Sequence, residues 1–199
     1  DSTTDGIAVV GFDNRLLRYN QRFADMWQIP RELLDAGDTA QLLGMAVAQL
    51  ATPETFWGPV EALRADPLGE SFDRLLLKDG RAYERFSRPL VSEGRATGRV
   101  WSFRDISLRV RAEAVQAALY KISQAAHSSR DLDSLFQAIH AIIAELLPAK
   151  NFYVALYDAA TDIISFPYWV DEVDERPEPR KASERRGLTG RVLQSGEPL

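Results

Sequence analysis

Few side chains in this sequence are equipped for chemistry. The chain has no cysteine and two histidines. Without thiols there are no disulfides, no thiol catalysis and no thiolate-held metals or clusters. His140 lies on the polar margin of an apolar helical stripe, where a packing or surface role is expected rather than ligation. There is no phosphate-cradling Gly-Lys loop, no His-Glu-x-x-His and no Gly-x-Ser-x-Gly. Acidic residues are plentiful, but the pattern assigns no two of them to one cleft. Arg85 is the exception that has chemistry to offer. It falls inside RAYERFSRPLV, Arg81 to Val91, a strand-like run. An inward Arg85 needs an acceptor, because an unpaired buried charge is severely disfavoured. Its fork could clamp a carboxylate or other anion in bidentate fashion. It could equally pair with an internal acid or snorkel outward.

The elements that must position Arg85 follow from punctuation and period. IAVVGF, Asp13-Asn14 and RLLRY form two short apolar runs around an Asx pair, the pattern of a hairpin. Asn20 is placed to cap a helix over Gln21 to Trp27, which Ile29-Pro30 closes. Short helices are expected at Arg31 to Ala36, Gln41 to Leu50 and Phe56 to Arg64, interrupted by Gly37, Pro53 and Pro67. Strands return at Ser71 to Leu77 and Arg81 to Val91, joined across Lys78-Asp79-Gly80. A second turn at Glu93-Gly94 leads to a strand over Thr97 to Asp105. The order is two strands, several short helices, three strands: a five-stranded antiparallel α+β domain. From Leu108 the period changes. Leu108, Ala112, Val115, Leu119, Ile122 and Ala126 recur at alternating gaps of four and three, the seam of a coiled coil. Neither Gly nor Pro occurs from Arg99 to Ala126, so the last strand is expected to run almost directly into a helix that pairs with a second copy, the alternative being an amphipathic helix packed on its own domain.

These residues resemble a PAS sensor domain over about residues 5 to 107. The resemblance is carried by the element order, by YNQRFADMW after the first hairpin, by KDGR at the second turn, and by GRVWSFRDIS at the end. RDIS is similar to the family's closing Asp-Ile-Thr motif, with Ser107 in the Thr place. The resemblance implies a cupped sheet that holds a small ligand or a dry core against the short helices. It implies that Asp105 fastens the last strand to the exit helix, a role compatible with capping that helix near Ser107 and Leu108. It also implies inward faces carrying Leu75 and Leu77, then Tyr83, Arg85 and Ser87, then Trp101 and Phe103, with Trp27 and Trp57 as walls on the helices. Flavin-photoadduct members need a cysteine, and haem-binding members commonly use a histidine on a short helix. The only histidines, His127 and His140, fall outside the segment. A covalent flavin adduct and histidine-ligated haem are therefore disfavoured. Non-covalent flavin, a small organic acid or an empty pocket remain, and the cofactor is unknown.

Past the seam, His127 is followed by Ser-Ser-Arg-Asp rather than the acidic-apolar-basic-Asn-Pro sequence of a phosphoaccepting kinase helix, so phosphotransfer is not expected there. An apolar stripe from Leu135 to Leu147 reads as a helix ended by Pro148. NFYVALY and IISFPYWV form a hairpin, and Asp171 to Glu184 is a charged, proline-containing loop. With GLTGRVLQSGEPL, Gly187 to Leu199, this part resembles the opening of a GAF domain over about residues 114 to 199. The expected organisation is a PAS-like domain at 1–107, a signalling helix at 108–127 and the N-terminal part of a GAF-like α/β sandwich at 128–199. The resemblance implies a fragment of a larger signalling protein, with a histidine kinase or cyclic-di-GMP enzyme as output and no catalysis within this stretch. A ligand-free scaffold that only dimerises is the alternative. The 24 basic and 29 acidic residues leave a net charge of −5, which argues against nucleic-acid binding. No apolar run approaches the roughly 18 residues of a membrane span, and no signal peptide is seen. The expectation is a cytoplasmic homodimer, with a small organic anion as its possible ligand.

Overall fold

The first hairpin turns on Asn14, which takes the left-handed conformation at φ 59° that its short polar side chain tolerates. It joins β1 (Gly6–Gly11) to β2 (Leu16–Tyr19). Asn20 then does double duty. Its Oδ1 accepts from Phe23 N at 3.0 Å, capping α1 (Gln21–Trp27), and from Ile7 N at 2.8 Å, tying that cap to β1. Its Nδ2 donates to Asp5 O at 2.8 Å. The helix stops at Gln28, which adopts φ 52°, one residue before the Ile29-Pro30 step expected to end it.

The computed structural model describes residues 3–184 and 187–198, and the chain divides between Arg111 and Ala112 into two units. In the first, α2 (Arg31–Ala36), α3 (Thr39–Ala48) and α4 (Glu54–Ala65) follow α1. Helix α3 begins two residues before the expected Gln41, because Asp38 accepts from Ala40 N at 2.9 Å and caps it there. The return strands are β3 (Ser71–Leu76), β4 (Ala82–Ser92) and β5 (Arg95–Asp105), and the sheet order is β2-β1-β5-β4-β3, antiparallel throughout. This is the five-stranded antiparallel, PAS-like α+β arrangement expected from the sequence.

Side chains of one sheet face and of the helices form a single buried cluster. Ala8, Leu75, Leu77, Tyr83 and Phe103 from the sheet side meet Phe23, Trp27, Leu34, Leu42, Leu50 and Phe56 from the helices and their connections. Period-two alternation explains the sheet side: Phe103 pairs with Arg85, and Trp101 pairs with Ser87. Gly98, opposite Gly11, leaves no room for a side chain between β5 and β1, since a Cβ there would stand 2.4 Å from Val10 O.

Helix α5 (Ser107–Ser128) is unbroken over its 22 residues. In the second unit it is followed by α6 (Leu132–Ala144), β6 (Phe152–Asp158), β7 (Ile163–Val170), β8 (Arg180–Lys181) and α7 (Gly187–Ser195). Asp131 caps α6 by accepting from Ser134 N at 2.8 Å. Helix α6 packs on β7, where Ile164 and Phe166 are buried. The loop expected over Asp171 to Glu184 is only partly loop. Arg180 and Lys181 pair with Ile164 and Ile163 as β8, giving a three-stranded sheet in the order β6-β7-β8. Two residues carry no periodicity, so only the free edge of β7 identifies them as a strand. Leu199, the last residue of the GLTGRVLQSGEPL motif, lies outside the described residues.

Candidate functional site

Between the inner sheet face and the helices of the first unit lies a cavity of about 400 Å³. Ala8 and Val10 of β1 and Trp101 and Phe103 of β5 form part of its wall. Phe23 and Trp27 of α1, Leu42 and Leu43 of α3, and Phe56 and Val60 of α4 face it from the helices. The volume falls within the roughly 300–1,000 Å³ of small-molecule sites.

Arg85 lines the cavity and is 1% exposed. Its cross-strand neighbour is Asp73, whose two oxygens accept from Arg85 Nε at 2.8 Å and Nη2 at 2.7 Å. Nη2 also donates to Phe56 O at 3.3 Å. The guanidinium lies 4.4 Å from the Phe56 ring centre and 5.4 Å from that of Trp101. Of the three fates open to an inward Arg85, the structure has the internal ion pair, with Asp73 on the Nε–Nη2 edge of the fork. Arg85 Nη1 and Trp27 Nε1 are both buried without a hydrogen-bond partner.

The remaining expected ligand residues divide. Trp27, Arg85, Trp101 and Phe103 line the cavity. Leu75, Leu77, Tyr83 and Ser87 are buried but lie outside the lining. Tyr83 is committed elsewhere: its hydroxyl donates to Met26 O at 2.8 Å and accepts from Arg81 Nη1 at 2.6 Å. Burial pushes its phenol above the usual range, against the lowering effect of Arg81. Trp27 meets Tyr83 and Phe103 edge-on, with ring centres at 5.3 and 5.2 Å. Trp57 is 38% exposed and outside the cavity, while its neighbour Phe56 lines it. One step along a helix turns a side chain by about 100°, and the helical pattern left that phase undetermined.

Arg99 was not anticipated. It is 7% exposed, lines the cavity, and shares its strand face with Trp101 and Phe103. Its Nε donates to Ser87 Oγ at 2.9 Å, its Nη1 to Pro67 O at 3.1 Å and its Nη2 to Gly69 O at 2.6 Å. Burial draws its pKa down, and the charges of Asp66 and Glu70 oppose that. Period-two alternation through Trp101 and Phe103 was the available signal.

The expected relay residues sit where the sheet becomes helix. Asp105 Oδ1 accepts from Ser107 N at 2.9 Å and from Ser107 Oγ at 2.6 Å. Ser107 Oγ accepts from Ala82 N at 3.0 Å, and Ile106 N donates to Ala82 O at 2.9 Å. Asp105 therefore caps α5, and Ser107 ties that cap to the start of β4. Along α5, Leu108, Ala112, Val115, Leu119 and Ala126 are exposed, Leu108 by 84%, whereas Ile122 is half-buried. His127 is exposed and hydrogen-bonds to Ser123 O of its own helix at 2.7 Å. His140 is packed inside the second unit. Its ring stacks on Phe152 at 4.8 Å and hydrogen-bonds to Tyr168 Oη at 3.0 Å and Ala149 O at 2.6 Å.

Among the described residues no group of three or more His, Cys, Asp or Glu could hold a metal ion. No helix among them is long and apolar enough to cross a membrane.

No family model matches the chain, and no curated protein matches it. Solved structures similar to it include the PAS domain of a protein from Colwellia psychrerythraea, at 18% identity and a TM-score of 0.40, covering 54% of this chain and 90% of that one. The PAS domain of Bordetella pertussis BvgS is 20% identical with a TM-score of 0.36, covering 59% of this chain and 85% of that one. A domain of an HTR-like protein from Haloarcula marismortui is 19% identical with a TM-score of 0.38, covering 52% and 99%.

Proposed function

We propose that the chain is a sensory input and dimerisation module of a bacterial signal-transduction protein. In this reading the first unit is a PAS-type receptor for a small molecule. The second is the N-terminal part of a GAF-type domain, and α5 carries the state of the cavity toward an output domain, a histidine kinase or a cyclic-di-GMP enzyme. Catalysis belongs to that output domain, and the absence of cysteines fits the reducing cytoplasm. The observation that supports this best is the continuity of β5 and α5. Arg99, Trp101 and Phe103 line the cavity, and the same strand ends two residues later at Asp105, whose carboxylate caps the helix. A change in how β5 sits against an occupant is thereby delivered to the helix terminus. The alternative is a ligand-free scaffold that only dimerises, which native mass spectrometry would reveal as a dimer with no retained small molecule.

Pairing through the seam is the second half of the reading, and it rests on the exposed apolar row of Leu108, Val115 and Leu119. Because the chain has no cysteine, single introduced thiols report on it cleanly. Oxidised Val115→Cys protein is expected to run as a covalent dimer, while Ala117→Cys, on the opposite side of the heptad, is expected to remain monomeric on a denaturing gel. Equal cross-linking at both positions, or none at Val115→Cys, removes the paired-helix model.

A further inference from the structure

The cavity carries an unbalanced charge. Its lining includes Arg64, Arg85 and Arg99 and, among the described residues, no Asp or Glu. Arg85 is matched by Asp73, which takes its fork in bidentate fashion. Arg64 is exposed to solvent. Arg99 differs from both, being buried yet hydrogen-bonded only to neutral oxygens, those of Ser87, Pro67 and Gly69. A guanidinium has five N–H donors, so those bonds leave one on Nη1 and one on Nη2 without a commitment. Asp66 and Glu70 act on it only through space, and burial works against its charge. A buried cation served by neutral acceptors gains most from an anion brought to it.

The rest of the lining is the opposite in character. Phe23, Trp27, Trp101 and Phe103 present aromatic surface, and Leu42 and Val60 add aliphatic surface. On β5 the face that begins with Arg99 continues through Trp101 to Phe103, so one strand sets a charged position next to an aromatic wall. We propose that the cavity takes a small carboxylic acid with a flat apolar body, its carboxylate against Arg99 and its ring among Phe23, Trp27, Trp101 and Phe103. This rests on the reading of the first unit as a receptor and moves the anion anchor from Arg85, whose Nε and Nη2 are taken by Asp73, to Arg99. Arg99 already holds the carbonyls of Pro67 and Gly69 between α4 and β3. An arriving carboxylate therefore meets a guanidinium oriented in advance.

The test is a matched pair of probes, naphthylacetate and naphthylacetamide, which share a ring and differ in charge. They are titrated calorimetrically into the 199-residue chain. The acid is expected to bind at least about tenfold more tightly than the amide, as a charge-assisted contact to a buried guanidinium predicts. In Arg99→Gln the preference is expected to fall to about one while amide affinity is kept, and Arg99→Lys is expected to restore part of it. Equal binding of the two probes by the wild type overturns the carboxylate assignment and leaves the receptor reading standing. A preference that persists in folded Arg99→Gln overturns the role of Arg99. If Arg99→Gln fails to fold, the wild-type ratio and Arg99→Lys decide the matter. Binding of neither probe overturns the assignment, and the receptor reading falls with it only when native mass spectrometry of the purified chain also finds no retained small molecule.

Discussion

Asp73 and Arg85 face each other across β3 and β4 and share two hydrogen bonds, at 2.8 and 2.7 Å. The side chains are unequally buried, Arg85 at 1% and Asp73 at 21% exposure. Removing the acid strands a cation beneath Phe56 and Trp101, whereas removing both charges leaves an apolar surface that can repack. Asp73→Ala is therefore expected to destabilise the first unit by about 3 kcal/mol, the size found when one partner of a buried pair is lost. The double variant Asp73→Ala with Arg85→Met is expected to recover most of that loss. Chemical denaturation of the wild type, both single variants and the double variant gives the coupling directly. Additive losses would show that the pair contributes nothing as a pair.

A second expectation concerns the junction between sheet and helix. Ala82 is fully buried, and its amide has Ser107 Oγ as acceptor at 3.0 Å. Ser107→Ala leaves that N–H without a partner, at a cost of about 1–2 kcal/mol. The cap from Asp105 to the backbone amide at position 107 does not need the hydroxyl, so α5 is expected to stay helical. The signature is local. Hydrogen exchange at the amides of Ala82 and Ile106 is expected to accelerate while far-ultraviolet circular dichroism is unchanged. Unaltered exchange at Ala82 would mean that Ser107 does not fasten helix to sheet.

Much of this arrangement could be read from the sequence, and the misses have identifiable causes. The three-residue turn Lys78-Asp79-Gly80 is centred on Asp79. Counting outward from it pairs Leu75 with Tyr83 and Asp73 with Arg85, as the register has it. The acid that pairs with Arg85 was thus within reach of the turn geometry alone. Arg99 was legible too, since period two from Phe103 and Trp101 leads to it, yet a charged residue so near a turn reads as solvent-facing. Phe56 and Trp57 could not be told apart, because two adjacent aromatics on a short helix give no phase. The small wall residues Ala8 and Val10 gave no chemical signal at all. They matter through the space they leave, which no property of a single residue encodes.

Four carboxylates of the second unit give it an acid-sensitive component of stability. Asp131, Asp158, Asp162 and Asp171 all titrate below the ordinary carboxylate value of 3.8. The leading cause is a hydrogen bond from a backbone N–H at Asp131 and Asp171, and from a side chain at Asp158 and Asp162. A carboxylate whose folded pKa is depressed adds stability that is present above its unfolded value and is lost as pH falls through the folded one. The share of the second unit's stability that these groups supply is therefore fully present above about pH 5 and lost progressively below the unfolded carboxylate range near pH 4. Asp131→Ala, which deletes the cap of α6, is expected to lower stability at pH 7 and to flatten the slope between pH 4 and pH 2. Urea titrations at a series of pH values measure both effects, and an unchanged slope would remove Asp131 from the account.

The seam gives the most direct test of the proposed pairing. Leu119 is 62% exposed, so an aspartate at that position remains solvated in a single chain and should change its stability by no more than about 0.5 kcal/mol. In a pair of α5 helices the same carboxylate would be enclosed between seams, where an unpaired charge is strongly disfavoured. Leu119→Asp is therefore expected to keep the wild-type circular dichroism spectrum and thermal midpoint at high dilution while sedimenting as a monomer at concentrations where the wild type is dimeric. Because the substitution is nearly neutral for the isolated chain, loss of association cannot be ascribed to misfolding. A variant that sediments as the wild type does would place the dimer contact elsewhere, and with it the route by which the cavity reaches its output.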